Sequence, residues 1–576
     1  MGPRGVSAGP LDSSPRALSL LRMKPTAFFG VPVFDLLFTG LVSTNASAQS
    51  PSAQIQRGEA IYVQKCVMCH QITGQGAAPV YPPLAQNDWL AANREKAVLA
   101  LCQGLGGPLV VNGTAYNNVM PTQILDDTQV ADVLTYVGSS WGNQLQAFTS
   151  EEVSVTRRKS RYPTYAALLT ATAYQPLPKA PEGWTLREVA QLSQMCTRFA
   201  GLGAGHPVYV LGGGGAVFEL DVQQGLLTEI IRAAEYGIEA KGDYGSSAFT
   251  VDRDGHLWIV TNQRQGNKDD DSMWMNSVVI WRTTKLTDGR PSGLTPWYET
   301  SYPYGGGPYN HGVSHIAFGP DGLLYLNSGA RTDGGEPGKP PKYFSGAETD
   351  ITACLWRMDP KAAEPKIEVI ARGIRNAFGF AWDQEARLFT ASNGPDKDQP
   401  EEMDFIETGR HYGFPYQFGN LPATEGSPYK HTPKAPEGLE FTLPIANLGP
   451  AAGGKEGAPC YTFDPHSSPA GMIWCGEEFA PPLRGSFLIT RFGNLIDCPV
   501  DVGFDVLSVR PQRKGDGRWE ASVQTILAPL GRPIDVHSLG GGRVLILEYT
   551  RPTNQKSRVG WLPGRILELA PTYPTK

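Results

Sequence analysis

Residues 248–262, AFTVDRDGHLWIVTN, contain two short apolar runs on either side of the turn sequence DRDG. Each run is rich in β-branched and aromatic residues, which predicts two β-strands joined by a tight turn. The same pattern recurs in residues 315–329, HIAFGPDGLLYLNSG, and in residues 379–394, GFAWDQEARLFTASNG. Residues 484–494 and 535–549 carry less regular copies. A hairpin that recurs along a chain is typical of the blades of a β-propeller.

The spacing of these repeats predicts the number of blades. The turns at Asp254-Gly255 and Asp321-Gly322 are 67 residues apart, more than a minimal four-stranded blade needs, so we expect inserted loops. The repeats lie within residues 183–572, which divided by this interval gives about six blades. A β-sandwich is the alternative, but a sandwich does not repeat one internal hairpin. We therefore predict a six-bladed propeller over residues 183–572.

A second motif lies upstream of the repeats. Residues 65–76, KCVMCHQITGQG, bring Cys66, Cys69 and His70 together in a chain that has 8 cysteines and 9 histidines. In a C-x-x-C-H motif two thiols attach haem covalently and the adjacent imidazole binds its iron. A redox C-x-x-C pair would follow a strand, whereas the preceding residues have the apolar pattern of a helix. A zinc site would need a second ligand pair at regular spacing, and none follows. The motif predicts haem c.

Residues 52–148 resemble a class I cytochrome c over its full length. The resemblance rests on the C-V-M-C-H motif, the PPLA turn at 82–85, the NVMP loop at 118–121 and a closing amphipathic helix. It implies a small all-α domain that carries electrons, with His70 and Met120 as the axial ligands of the iron. A lone methionine more often packs in a core. Met120 lies in a Gly/Asn-rich loop before a proline, which favours ligation, and a thioether ligand raises the haem potential.

The repeat region contains four further motifs: NHGVSHIAFGPDG at 310–322, GIRNAFGFAWD at 373–383, NGPD at 393–396 and HYGFPY at 411–416. In this order they resemble the glucose/sorbosone dehydrogenase family, whose members are six-bladed propellers that use pyrroloquinoline quinone (PQQ). The resemblance covers most of residues 183–570. It therefore implies a small all-α cytochrome c domain followed by an all-β six-bladed β-propeller.

The resemblance implies roles for the matching residues. His311 would be the general base, Arg375 and Asn376 would contact the quinone oxygens, and the main-chain carbonyls of Gly394 and Pro395 would bind Ca²⁺. Arginine forks hold carboxylates such as those of PQQ, calcium prefers oxygen ligands, and an imidazole with an ordinary pKa near 6.5 accepts a proton close to neutral pH.

Two further arginines belong to the predicted cofactor site. Arg532 matches an arginine near the quinone, and Arg491 falls near the position from which a basic residue reaches the cofactor. Asp243 and Phe378 depart from the pattern of some relatives at positions near the substrate. Glucose is therefore not implied as the substrate.

The N-terminal residues predict export from the cytoplasm. Residues 23–50 have a basic start at Lys24, an apolar stretch and the A-x-A cleavage sequence Ala46-Ser47-Ala48. We expect residues 1–48 to be a leader and signal peptide, and the protein to be periplasmic, because covalent haem c is assembled outside the cytoplasm. Asp35 interrupts the apolar stretch, and no later segment is long and apolar enough to cross a membrane.

Together these features predict a periplasmic quinohaemoprotein. Its propeller would oxidise a sugar or related alcohol or aldehyde by hydride transfer to PQQ, and haem would pass the electrons to a soluble or membrane-bound acceptor. Residues 149–182 would tether the two domains. The net charge of −6 and the pI of about 5.9 argue against a nucleic-acid partner. The alternatives are a calcium-dependent hydrolase of the lactonase type and a non-catalytic sugar- or partner-binding propeller with an electron-transfer domain.

Overall fold

The structure is a computed structural model of the 576-residue chain. It describes residues 51–78, 80–105, 109–116, 120, 123, 125–158, 173–237, 244–266, 273–287, 289–305, 310–338, 346–397, 399–419, 421–422, 434–450, 462–494, 501–551 and 562–572. The predicted leader and signal peptide, and Asp243, lie outside these residues. Within them, no helix has both the length and the apolar character needed to cross a membrane.

The first domain consists of short helices and one hairpin. Its elements are α1 (Pro51–Lys65), α2 (Val67–His70), α3 (Asp88–Ala92), α4 (Arg94–Gln103), β1 (Leu109–Val111), β2 (Thr114–Tyr116), α5 (Asp127–Ser139) and α6 (Ser150–Arg158). Helices α1 and α5 pack at Gly58, where a Cβ atom would lie 2.0 Å from the carbonyl oxygen of Asp132. Arg57, the residue before Gly58, also joins α1 to α5, because its Nε donates to the Asp132 carboxylate at 2.7 Å. The predicted cytochrome c domain is confirmed.

Helix α6 extends the first domain beyond the boundary expected from the sequence. The sequence places residues 150–158 in the linker, but Val153 is buried in the domain's apolar core. Arg94 binds Glu152 at 2.6 Å, and Arg157 binds Asp127 at 2.6 Å. The amphipathic pattern of this short helix is hidden by its charged residues, which is why the sequence suggests a tether.

In the described residues of the second domain, six sheets of three to five strands form the blades, beside one two-stranded hairpin, which confirms the predicted six-bladed propeller. Blade 1 contains β4 (Cys196–Gly201), β5 (Val208–Gly212), β6 (Val217–Asp221) and β7 (Leu226–Ile231), and is followed by a 3-10 helix (Ala233–Tyr236). Blade 2 contains β8 (Tyr244–Val251), β9 (Leu257–Gln265), β10 (Met275–Thr287) and β11 (Arg290–Pro303). Blade 3 contains β12 (Val313–Phe318), β13 (Leu324–Ser328), β14 (Cys354–Met358) and β15 (Glu368–Arg372).

The remaining blades are less regular. Blade 4 contains β16 (Gly379–Trp382), β17 (Leu388–Ser392) and β18 (Glu402–Phe405), followed by a small hairpin of β19 (Gln417–Phe418) and β20 (Leu421–Pro422). Blade 5 contains β21 (Ala446–Pro450), β22 (Pro469–Cys475), β23 (Ser486–Arg491), β24 (Asp505–Arg513) and β25 (Trp519–Leu527). Blade 6 contains β26 (Pro533–Gly540), β27 (Arg543–Glu548), β28 (Arg565–Pro571) and, from the start of the domain, β3 (Trp184–Gln191).

The repeated hairpins occupy equivalent places in the blades. The three clear copies form β8–β9, β12–β13 and β16–β17, the first two strands of blades 2, 3 and 4. Their turns require a left-handed backbone where glycine is found, with φ of +88° at Gly255 and +79° at Gly322. The glycine that marks the repeat in the sequence is thus a backbone requirement of blades 2 and 3, and in blade 4 Ala386 takes the same left-handed conformation, with φ of +59°.

The first strands of the blades pack around the propeller axis. They all begin at the same end of this axis, where Thr197, Ala470 and Ile534 line a common cavity. We call this the cavity end. The hairpin turns at Gly255 and Gly322 lie at the opposite end, because each follows the last residue of a first strand.

Candidate functional site

The imidazole of His70 is oriented by the PPLA turn. His70 ends α2 and is buried, and its Nδ1 atom lies 3.0 Å from the carbonyl oxygen of Pro82. If Nδ1–H donates to this carbonyl, Nε2 carries the lone pair. Burial lowers the pKa of His70, which favours the neutral form that binds metal. A ring nitrogen fixed in this way is typical of a metal-binding histidine.

Met120 faces the same cavity from another segment. Its backbone pairs with Leu105 in an isolated antiparallel bridge, with N–H···O distances of 2.8 and 3.0 Å. The β1–β2 hairpin lies between these two residues in sequence and contributes Leu109 and Val111 to the cavity wall.

The cavity in the first domain fits a haem group. Apart from His70, Cys66 and Asn87, its lining is apolar: Pro82, Leu84, Trp89, Leu90, Ala97, Ala100, Leu101, Leu105, Leu109, Val111, Met120, Val133, Leu134 and Val137. An imidazole, a thioether and a thiol therefore line one apolar cavity, and the Cys69 thiol lies three residues from the Cys66 thiol. The sequence predicted each of these groups.

A second cavity, of about 310 Å³, lies at the cavity end of the propeller. It is lined by Thr197, Asn376, Phe378, Asn393, Ser468, Pro469, Ala470, Phe492, Ile534 and Tyr549. These residues come from blades 1, 4, 5 and 6 or from the segments next to them. The cavity therefore lies on the propeller axis, where several blades can contribute to one ligand site.

His311 lies beside this cavity, next to Asn376. A Cβ atom on Gly329 would contact both residues, at 2.6 Å from His311 Cβ and 3.0 Å from Asn376 Oδ1. His311 Nδ1 lies 2.8 Å from the carbonyl oxygen of Ala330, which directs the other ring nitrogen away from the backbone. Burial, and then the charge of Arg375, lower the pKa of His311 to about 3. The imidazole is therefore unprotonated at neutral pH, but its pKa lies well below the ordinary value expected from the sequence.

The Asn376 side chain is fixed by two neighbouring strands. Its Oδ1 accepts hydrogen bonds from Ser314 Oγ at 3.1 Å and Asn327 Nδ2 at 3.3 Å. Because the oxygen is engaged, the NH₂ group is the part of the amide available to a ligand in the cavity.

Arg375 is oriented by an aspartate that the sequence analysis missed. Arg375 Nη2 donates to Asp333 Oδ1 at 2.8 Å, and Nε donates to the Asp333 carbonyl at 2.9 Å. The same Oδ1 accepts the backbone N–H of Asp396 at 3.0 Å. Asp333 thus joins the arginine to the NGPD turn. A buried arginine requires a carboxylate partner, but the 42 residues that separate this pair leave no local pattern in the sequence.

The NGPD turn is held close to neighbouring backbone. Asn393 Nδ2 donates to the Pro469 carbonyl at 3.0 Å, and a Cβ atom on Gly394 would lie 2.2 Å from the Pro400 carbonyl oxygen. Glycine is therefore required at 394. The carbonyls of Gly394 and Pro395 are the kind of oxygen donor that calcium accepts. No group of three or more His, Cys, Asp or Glu side chains suited to a metal occurs in the described parts of the chain.

Arg532 and Arg491 are both engaged by the protein. Arg532 donates to the carbonyls of Gly493 at 3.2 Å and Asn494 at 2.9 Å, and its Cζ lies 5.0 Å from the ring centre of Phe492, which lines the cavity. Arg491 forms two hydrogen bonds to Asp505, at 2.8 and 2.6 Å. Their contact with a cofactor stays a prediction.

Glu401 is a second residue that the sequence analysis missed. Its side chain is 3% exposed, and its Oε2 atom has no hydrogen-bond partner. Burial raises its pKa to about 8, although the N–H groups of Ser468 and His466 and the charges of Arg375 and Arg491 favour the ionised form. Ser468 lines the cavity, so this carboxyl group lies next to a residue of the cavity wall.

Both domains match known families. A cytochrome c family model matches residues 55–141, and a glucose/sorbosone dehydrogenase family model matches residues 297–496. Cytochrome c-552 of Thermus thermophilus is 39% identical over 116 residues, which cover 18% of this chain and 88% of that protein. The cytochrome c subunit of the quinone alcohol dehydrogenase of Gluconacetobacter polyoxogenes is 31% identical over 114 residues, or 19% of this chain and 23% of that subunit.

Similar solved structures cover about two thirds of the chain. The PQQ-bound form of the aldose sugar dehydrogenase of Streptomyces coelicolor is 20% identical, with a TM-score of 0.45, and covers 68% of this chain and 99% of its own. The apo-form of the soluble aldose sugar dehydrogenase of Escherichia coli is 16% identical, with a TM-score of 0.46, and covers 67% of this chain and 99% of its own.

Proposed function

We infer that this chain is a sugar-dehydrogenase oxidoreductase, and we propose a specific reaction for it. Its first domain belongs to the cytochrome c family, and the glucose/sorbosone dehydrogenase family model matches residues 297–496 of its propeller. The propeller oxidises an aldose or related alcohol with bound PQQ and Ca²⁺, and the haem of the first domain accepts the electrons one at a time. The observation that carries the proposal is the grouping of His311, Arg375 and Asn376 beside one cavity.

Each of these side chains has a part in the reaction. His311 takes the hydroxyl proton of the substrate on Nε2, while its Nδ1–H stays bonded to Ala330. Arg375 and the amide of Asn376 would hold the cofactor oxygens, and the Gly394 and Pro395 carbonyls would hold the calcium ion. When bound, PQQ supplies an electrophilic carbon that accepts the hydride. The substrate would thus lose one proton and one hydride, and the haem, which accepts one electron at a time, would take up the two electrons of the hydride in two transfers.

We place the enzyme in the periplasm and expect a soluble or membrane-bound protein to accept electrons from the haem. Support comes from the C-x-x-C-H motif, because haem c is attached outside the cytoplasm, and from the leader predicted in residues 1–48. A calcium-dependent hydrolase or a binding module would not need the haem cavity that the first domain contains.

The proposal is tested by a visible spectrum of the haem-loaded protein incubated with PQQ and CaCl₂. We expect aldoses or related alcohols to reduce the haem, with no reduction when PQQ is omitted. If no sugar or alcohol reduces a haem that dithionite reduces normally, the proposed reaction is wrong. Formation of a hydroxy acid from a lactone, without a change in the haem spectrum, would instead support the hydrolase.

A further inference from the structure

The chain that leads into the propeller is fastened at the cavity end. The Tyr174 ring lies between two guanidinium groups, with its centre 4.3 Å from Arg551 Cζ and 5.1 Å from Arg565 Cζ. The Gln175 N–H donates to the Arg551 carbonyl at 3.2 Å, and Arg565 Nη2 donates to the Gln175 carbonyl. We call these four residues the Tyr174 clamp.

The clamp is connected to the candidate active site. Arg565 Nε binds Glu548 at 2.6 Å, and Glu548 accepts the N–H of Gly531 at 2.6 Å. Gly531 precedes Arg532, whose carbonyl accepts the N–H of Tyr549 at 2.7 Å. Tyr549 lines the cavity. The clamp therefore lies at the cavity end of the propeller and is linked by hydrogen bonds to a residue of the cavity wall.

The first strand of the domain begins at the opposite end. Trp184 starts β3 and pairs with Pro571, whereas Gln191 ends β3 and pairs with Arg565. The Trp184 indole is held there by a 2.9 Å hydrogen bond to the Pro481 carbonyl. Eight residues of β-strand span roughly 26 Å. Residues 175–183 therefore return the chain across the height of a blade, from the clamp to the start of β3.

We propose that the cavity end of the propeller is the docking face for the chain's own cytochrome domain, and that the Tyr174 clamp directs the domain to this face. The inference rests on the proposed function, because electrons must pass from the cavity to the haem. Without the clamp, the tether would begin at Trp184, on the face away from the cavity. With it, Tyr174 follows Arg158 of α6 by 16 residues, which span at most about 58 Å.

The clamp also raises the concentration of haem near the cavity. Its loss lengthens the tether, counted from Arg158, from 16 residues to the 26 that lead to Trp184. Effective concentration falls with about the 3/2 power of linker length, so length alone predicts about a twofold decrease. The shift of the tether to the opposite face adds to this loss.

The test uses the full haem-loaded chain with a dye on either face. Gly214→Cys places a thiol in the exposed turn between β5 and β6 at the cavity end, where a Cβ atom on the glycine would have no neighbouring atom within 4 Å. Asp254→Cys places one in the exposed turn between β8 and β9 at the opposite end. Haem quenches a nearby dye, so we expect a shorter fluorescence lifetime for the dye at 214. The unsubstituted chain, treated with the same dye, reports labelling of native thiols.

The clamp variants are Tyr174→Ala and Gln175→Pro, the second of which removes the N–H donated to Arg551. We expect either variant to reduce the difference between the dye lifetimes at 214 and 254. The control is Lys179→Ala, a change at an exposed residue of the same segment, which should preserve this difference. Equal lifetimes on both faces, a shorter lifetime at 254, or a difference that survives both clamp variants would overturn the proposal. The measurement of fluorescence lifetimes requires neither bound quinone nor substrate turnover. Quenching at 214 without substrate-driven haem reduction would therefore contradict the proposed function and leave the docking face supported.

Discussion

Arg375 and Asp333 form a buried ion pair, with 2.8 Å between Nη2 and Oδ1, and both side chains are at least nine-tenths buried. The same carboxylate oxygen accepts the N–H of Asp396 in the NGPD turn. One aspartate therefore orients both the arginine assigned to the quinone and the turn assigned to calcium. This makes Asp333 a positioning residue for the proposed cofactor site.

Asp333→Ala should weaken both PQQ retention and the fold. Removal of one partner leaves a buried guanidinium without its carboxylate, which costs roughly 3–5 kcal/mol. Denaturant unfolding of the cofactor-free protein and titration with PQQ measure the two effects. The control is Asp516→Ala, which removes an exposed ion pair with Arg518, 2.7 Å long. This change should alter neither the PQQ affinity nor the free energy of unfolding. Normal PQQ affinity in Asp333→Ala would contradict the positioning role.

His311→Gln should lower kcat by about 10² to 10⁴ while PQQ affinity changes little, because general-base catalysis is worth that much. The matched control is His315→Gln. His315 Nδ1 accepts the N–H of Phe380 at 3.2 Å, so its loss should affect stability more than turnover. If His311→Gln keeps near-normal turnover, or if it only loses the cofactor, His311 is not the general base.

The same histidine predicts an unusual pH profile. Because the pKa of His311 is lowered to about 3, the imidazole stays unprotonated as the pH falls from 8 to 5. We therefore expect kcat/KM to lack the decrease near pH 6.5 that an ordinary histidine would cause. A steady-state profile with an acidic limb centred near 6.5, absent from His311→Gln, would show that the cofactor restores an ordinary pKa.

Glu401 predicts a pH-dependent stability. Its pKa is raised to about 8 in the folded protein, so between pH 4.5 and 8 the folded state holds a proton that the unfolded state has released. Its contribution to stability is full below pH 4.5 and is lost as the pH rises through 8. Glu401→Gln should therefore gain stability relative to the parent from pH 5 to pH 8, measured by urea unfolding. The control is Glu364→Gln, a change at an exposed residue, whose free energy of unfolding should differ from that of the parent by the same amount throughout this pH range.

Met120→His should lower the midpoint potential of the haem, because replacing a thioether ligand with imidazole removes the ligand that raises it. Spectroelectrochemical titration measures the shift, and haem attachment through Cys66 and Cys69 should persist in acid acetone. Met403→Leu, a buried methionine of β18, is the control. An unchanged potential and spectrum would exclude Met120 as a ligand.

Sequence reasoning predicted the elements that carry local patterns. The C-x-x-C-H motif and the Gly-turn hairpins depend on residues close in the chain, and both domains were identified from them. Asp333 and Glu401 were missed because each acts through partners on other segments. The extent of the first domain was underestimated for the same reason, since α6 is stabilised by Val153 and by charge pairs with distant residues.

The pairing of β3 with β28 dictates an order of assembly. Blade 6 needs residues 184–191 from the start of the propeller and residues 565–571 from its end, so its sheet forms only after nearly the whole chain has emerged. The clamp depends on Arg565, so it too forms last. Among the described residues, the apolar core of the first domain is formed by residues 55–153, so haem attachment can precede closure of the ring. An incomplete chain would therefore have a folded cytochrome domain beside a propeller whose ring is not closed. The Tyr174 clamp would not yet have formed in such a chain.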